Sequence, residues 1–228
     1  MSDQQSKPFD YPTQRLDLPS KGLVYPEGHP LSGGYVELKI PSAKEEDILT
    51  NSTFIQQGIV FDKLLESVLA TKFNIDDLLI GDKDAILLAT RILAYGSDYS
   101  FTYRDEQVTV NLSELKEKPL DEDLFKKGKN EFEFELPLTR HTVTFKLPNG
   151  KDEKNIEAEN KSMKKINKTW SGEVTTPLKH MIVAIDGNRE IKTIRDFVDR
   201  MPIRDSKAFR NYVDSISFGF DLCTCVVL

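Results

Sequence analysis

Asp82-Lys83-Asp84-Ala85-Ile86-Leu87-Leu88-Ala89-Thr90-Arg91-Ile92-Leu93-Ala94-Tyr95-Gly96-Ser97-Asp98-Tyr99-Ser100-Phe101-Thr102-Tyr103 is the stretch in which the chain changes its period. Up to Tyr95 the apolar residues recur as on a helix, with Asp82 and Asp84 opening it and Gly96 placed to end it. That segment is apolar nearly all round, which predicts a helix central in the core, with Arg91 snorkelling to solvent. Beyond Gly96 the period falls to two. Tyr99–Tyr103 and Gln107–Leu112 flank the charged Arg104-Asp105-Glu106, which reads as a β-hairpin. Phe132, Phe134 and Leu136 alternate with Glu131, Glu133 and Glu135. Val143, Phe145 and Leu147 alternate with Thr142, Thr144 and Lys146, giving two more half-buried strands.

Working outward, the flanks return to helical spacing. On the N-terminal side, Tyr35–Ile40 alternates as a strand, and Ser42 with Glu45 forms a capping box for a short helix over 43–49. Phe61, Leu64, Leu65, Val68 and Leu69 define an amphipathic helix over Ile59–Phe73. On the C-terminal side, Asn149-Gly150 marks a turn before a charged helix over Lys151–Lys168, with Ile156, Met163 and Ile166 as its sparse contacts. Pro177–Ile185 is an apolar, helical segment, and Ile194–Met201 is a short helix stopped by Pro202. Asp205 caps a helix over Ser206–Ile216, and Ser217–Leu228 is strand-like. The fold class is therefore α+β: a mostly helical body, residues 34–228, with an inserted antiparallel β-hairpin subdomain at about 97–147.

Residues 1–33 form an extended N-terminal arm. Pro8, Pro12, Pro19, Pro26 and Pro30 bias their predecessors toward extended backbone, and Gly22 and Gly28 sit at tight turns. Leu18, Leu23, Tyr25 and Leu31 punctuate this arm, which predicts that it lies on something apolar. These four are the candidate partner-binding residues, buried against a partner or against the protein's own body.

Composition narrows the function classes. The 228 residues carry 37 acids against 31 bases, a formal net charge of −6, which argues against a protein that wraps nucleic acid. The longest apolar runs, such as Met181–Ile185, fall far short of the roughly 20 residues needed to span a bilayer. The N-terminal residues have no apolar h-region, and two cysteines without a secretory signal imply a reducing compartment. Catalytic sets are equally absent. His29, His141 and His180 lie in an arm, a strand and a helix start, outside any Gly-x-Ser-x-Gly elbow. Neither a Walker loop nor a Gly-x-Gly-x-x-Gly fingerprint occurs. Lys192, Arg195, Arg200, Arg204, Lys207 and Arg210 form a basic row, but Asp196, Asp199 and Asp205 interleave with it as on a solvated helix face. No cofactor and no small-molecule substrate are expected.

Cys223-Thr224-Cys225 leaves two chemical alternatives open. Residues two apart on a strand share a face, so Cys223 and Cys225 are candidate zinc ligands, although a structural site wants four. A zinc-dependent nucleic-acid-binding module would follow. Cys225-Val226-Val227-Leu228 also fits a C-terminal C-a-a-X box, which would make a prenylated, membrane-associated regulator.

Several stretches carry a family resemblance. Leu18-Pro19-Ser20-Lys21-Gly22-Leu23-Val24-Tyr25-Pro26-Glu27-Gly28-His29-Pro30-Leu31, followed by Ala43–Thr50, resembles the opening of baseplate proteins of T-even-like contractile-tailed bacteriophages. Arg91–Gly96, Leu178–Val183 and Arg204–Arg210 are similar too. The resemblance implies a non-enzymatic baseplate hub subunit or hub-assembly chaperone, made late in infection in the bacterial cytoplasm and bound to other hub proteins. It also implies Cys-x-x-Cys knuckles, which this chain lacks after Tyr95-Gly96 and holds only as Cys223-Thr224-Cys225.

Overall fold

The computed structural model of the chain describes residues 12–220. Strand β1 (Gln14–Asp17) runs antiparallel to β2 (Tyr35–Leu38), Gln14 opposite Leu38 and Asp17 opposite Tyr35. The alternation in β2 does what a half-buried strand requires: Val36 and Leu38 are buried, while Tyr35 and Glu37 face outward. Helix α1 (Ala43–Thr50) starts on the capping box, Glu45 reaching back to accept the Ser42 N–H at 2.8 Å. Asn51 then caps α2 (Ser52–Gln57), its Oδ1 accepting from the N–H groups of Thr53 and Phe54.

Helix α3 (Val60–Val68) is shorter than its hydrophobic period predicts. The chain leaves the helix at Leu69 because β2 competes for its backbone: Lys39 N–H donates to the Val68 carbonyl and Ala70 N–H to that of Glu37. Leu64, Leu65, Val68 and Leu69 are buried as expected, but Phe61 is 53% exposed. Helix α4 (Ile80–Tyr95) begins two residues before Asp82 and buries a single stripe, Asp82, Ala85, Ile86 and Thr90. It is less central than its composition predicts, since Leu87, Leu88, Ile92 and Leu93 are only half-buried.

Strands β3 (Asp98–Tyr103) and β4 (Glu106–Asn111) form the expected hairpin. Arg104 and Asp105 both take positive φ, +50° and +66°, as the two central residues of a type I′ turn do. Strands β5 (Phe132–Glu135) and β6 (Thr142–Phe145) follow, then α5 (Gly150–Ile166), α6 (Thr175–Met181), β7 (Ile182–Ile185), α7 (Ile191–Arg200) and α8 (Ile203–Ile216). The four strands of residues 97–147 do not make one sheet. The β3–β4 pair stands by itself, and β5 and β6 join β7 in an antiparallel sheet of order β5-β6-β7.

Three local expectations are corrected here. The segment Pro177–Ile185 is not one helix: Ile182–Ile185 is the third strand of the sheet, its run of apolar residues buried on both faces. Asn149 is the N-cap of α5 rather than a turn residue, forming a capping box with Asp152. Asp205 lies inside the first turn of α8 and is fully buried, its carboxylate accepting from Leu138 N–H, Thr139 N–H and Thr139 Oγ1 at 2.8–3.1 Å. It ties the β5–β6 connection to α8 instead of capping a helix. The sheet packs on α8 through aromatic edges, Phe145 meeting Phe209 at 5.0 Å and nearly perpendicular. One hydrophobic cluster runs from Leu18 through the helices to Phe218.

Candidate functional site

The residues expected to anchor a partner lie in the protein's own core. Leu18, Tyr25 and Leu31 are no more than 5% exposed, and Leu23 is half-buried against the same cluster. Of the two burial sites foreseen for them, the structure places them in the body. Sequence accounts for the tightness: the turns on either side of Leu31 pass so close that a Cβ on Gly22 would lie 2.7 Å from backbone atoms of Leu31, Ser32 and Gly34.

What holds the segment is a carboxylate that sequence reading assigned only to a helix start. Asp82 is fully buried and accepts from Ser20 N–H at 3.0 Å, Ser20 Oγ at 2.7 Å and the Tyr25 hydroxyl at 2.7 Å. The Tyr25 oxygen accepts in turn from Leu79 N–H. Burial pushes the Asp82 carboxyl above its ordinary pKa, against hydrogen bonds that favour the anion. Burial and the neighbouring Asp82 charge likewise push the Tyr25 hydroxyl up. The signal for this clamp was in the sequence as an acid at the N-terminal end of a strongly apolar helix; its partner 62 residues away was not.

The titratable clusters elsewhere are braces between elements. Glu159 of α5 takes both Arg195 Nη atoms at 2.8 Å and sits 2.9 Å from His180 Nε2, joining α5, α6 and α7. Hydrogen bonds from Arg195 come first among the causes that hold Glu159 at about 2, with burial opposing. Lys83 and Lys154 tie Asp62 of α3 to Glu153 and Asp76. His141 Nδ1 lies 2.5 Å from Asp186, and its ring meets Phe197 edge-on. Those partners are a carboxylate and a phenyl ring, not a hydroxyl or thiol that the imidazole would activate. The basic row is partly paired as well, Arg195 with Glu159 and Lys179 nearby with Asp199.

Among the described residues, no cluster of three His, Cys, Asp or Glu side chains is arranged to hold a metal ion, and no helix is long and apolar enough to cross a membrane. Cys223 and Cys225, with the C-a-a-X pattern and most of the segment expected to be strand-like, Ser217–Leu228, lie outside the described residues.

Two neighbouring surfaces among the described residues combine exposed apolar side chains with an open groove or edge. The first is a groove of about 350 Å³ between α1, α3 and α4, floored by Leu49, Leu64 and Leu87 and rimmed by Phe61, Tyr95 and Arg91. The second is the β3–β4 hairpin. Tyr99, Phe101 and Tyr103 share one face with Val108 and Val110 opposite them, while Ser100, Thr102, Gln107 and Thr109 share the other. Tyr99 and Tyr103 are 44% and 47% exposed, while Phe101, Val108 and Val110 are half-buried, so the described body covers this aromatic face only in part. The two surfaces meet at Arg91, whose guanidinium lies 4.8 Å from the Tyr95 ring and 5.6 Å from that of Tyr99.

No family model, curated protein or solved structure matches the chain.

Proposed function

We propose that the protein is a non-enzymatic component of a contractile-tail baseplate, a hub subunit or a hub-assembly chaperone, that works in the bacterial host cytoplasm by binding other hub proteins. The resemblance of Leu18–Leu31, Arg91–Gly96 and Arg204–Arg210 to such proteins supports this reading. The observation that carries it is the hairpin: an isolated two-stranded ribbon is marginal in water, yet this one exposes Tyr99 and Tyr103 on either side of a half-buried Phe101. An exposed aromatic face of that kind fits a contact surface awaiting a partner. The contact surface is therefore the hairpin with the adjoining groove, and not the N-terminal segment.

The test is substitution of Tyr99, Phe101 and Tyr103 together by Ser, followed by hub assembly in infected cells and pull-down of hub proteins. Assembly is expected to fail while the melting transition of the purified protein stays close to wild type. Normal assembly and unchanged recovery of hub proteins would remove the proposal.

A further inference from the structure

Among the described residues, the outer edge of β3 is open along its length. Its partner on one side is β4, and the sheet ends there. In a hairpin closed by a two-residue turn, the pair flanking the turn exchanges both backbone bonds, and bonded and non-bonded pairs alternate from there. Tyr103, Phe101 and Tyr99 therefore turn their N–H and C=O groups toward β4. Ser100 and Thr102 turn theirs outward, and both residues are exposed. A row of outward backbone donors and acceptors is a template for another strand.

The side chains along that edge specify which strand. Asp98-Tyr99-Ser100-Phe101-Thr102-Tyr103-Arg104 reads the same from either end in chemical character: acid against base, tyrosine against tyrosine, small hydroxyl against small hydroxyl, and phenylalanine against itself. An antiparallel copy centred on Phe101 sets Tyr99 opposite Tyr103 and Ser100 opposite Thr102, and brings Arg104, in the turn just past the strand, to the level of Asp98. Facing residues lie on the same side of a sheet, so the aromatic rings meet rings and the hydroxyls meet hydroxyls. The charges are available for this pairing. Among the described residues the Arg104 guanidinium has no carboxylate partner and rests 5.2 Å from the Tyr103 ring, and the Asp98 side chain is exposed. The outer edge of β4 has no such symmetry, since Glu106 has no base at the other end of its strand.

We propose that β3 pairs edge to edge with β3 of a second copy of this chain, making a two-fold symmetric four-stranded sheet centred on Phe101. A closed isologous contact of this kind also protects the edge from open-ended pairing. It does not rest on the baseplate reading, because self-association of the purified chain is measured without any other protein. A six-residue strand contact with one flanking charge lies at the small end of interface sizes, so a dissociation constant on the order of 10 µM is expected.

Sedimentation of the full-length protein between about 1 and 200 µM is expected to show a monomer–dimer equilibrium in that range. Two-fold symmetry makes each charge substitution act twice. Asp98→Arg alone and Arg104→Asp alone are each expected to weaken dimerisation by about tenfold or more, and the double exchange to restore it. Register is read by cross-linking in a Cys223→Ser, Cys225→Ser background. Phe101→Cys opposes itself in a non-hydrogen-bonded pair, at a Cα separation of about 4.5 Å that suits a disulfide. Ser100→Cys faces Thr102 and is expected not to cross-link. Circular dichroism melts confirm that each variant is folded. A monomer throughout the concentration range overturns the proposal. So does a dimer indifferent to the charge exchange, or one cross-linked through position 100 rather than 101.

Discussion

Asp82 and Glu159 show how the same functional group serves the fold in opposite senses of pH. Asp82 is taken out of water without a cation, so folding raises its pKa; the folded state binds its proton more tightly than the unfolded one. Its contribution is most favourable below its unfolded pKa and is lost as pH rises through the folded value. Glu159 behaves conversely. Its pKa in the folded protein, about 2, lies below the ordinary 4.5, so the unfolded chain binds the proton more readily between those values. Stability from Glu159 is present above about pH 4.5 and disappears as pH falls toward 2. Because Glu159 and Arg195 are partly exposed, screening limits the pair to about 1 kcal/mol at neutral pH. Urea unfolding of Glu159→Gln is therefore expected to show a lower midpoint than wild type at pH 7, with the difference closing on acidification. A constant offset down to pH 2 would mean that the brace acts by packing and not by charge.

At the scale of elements, the hairpin and the β5-β6-β7 sheet are built from equally regular alternation but differ in what covers them. Val143 and Phe145 on β6 are fully buried, with strands on both sides. On β3 only Phe101 reaches even intermediate burial. Local opening should follow that difference, since strands with few buried contacts open at little cost. In amide hydrogen exchange of the dilute monomer, Ser100 and Thr102 are expected to exchange within seconds and Phe101 within minutes. Val143 and Phe145 should exchange only through global unfolding. Protection of the hairpin equal to that of β6 would mean that its aromatic face is already covered. This contrast also explains what sequence made legible. Period-two alternation located β3, β4, β5 and β6, because a half-buried strand leaves that mark wherever it packs. It missed β7, since Ile182-Val183-Ala184-Ile185 is buried on both faces and a continuous apolar run does not distinguish strand from helix. Periodicity also could not show that β3 and β4 would lie apart from the sheet, because alternation marks a face and not its cover.

For the whole molecule, the decisive contacts are those that no local pattern encodes. Ser42 and Glu45, or Asn149 and Asp152, meet within four residues, whereas Ser20 and Tyr25 meet Asp82 across about sixty. The N-terminal segment looked like an appendage because its prolines and glycines break every period, yet it supplies Leu18, Val24, Tyr25 and Leu31 to the common core. Burying four such side chains is worth roughly 6–12 kcal/mol at about 1.5–3 kcal/mol each. That range is comparable with the 5–15 kcal/mol by which a whole domain is normally stable. Removing them also strips Asp82 of all three of its hydrogen-bond donors. A chain lacking residues 1–31 is therefore expected to lose its cooperative thermal transition, as followed by near-ultraviolet circular dichroism. Retention of the wild-type melting temperature would show that the segment is a detachable arm after all, and would return Leu18, Leu23, Tyr25 and Leu31 to consideration as contacts with a partner.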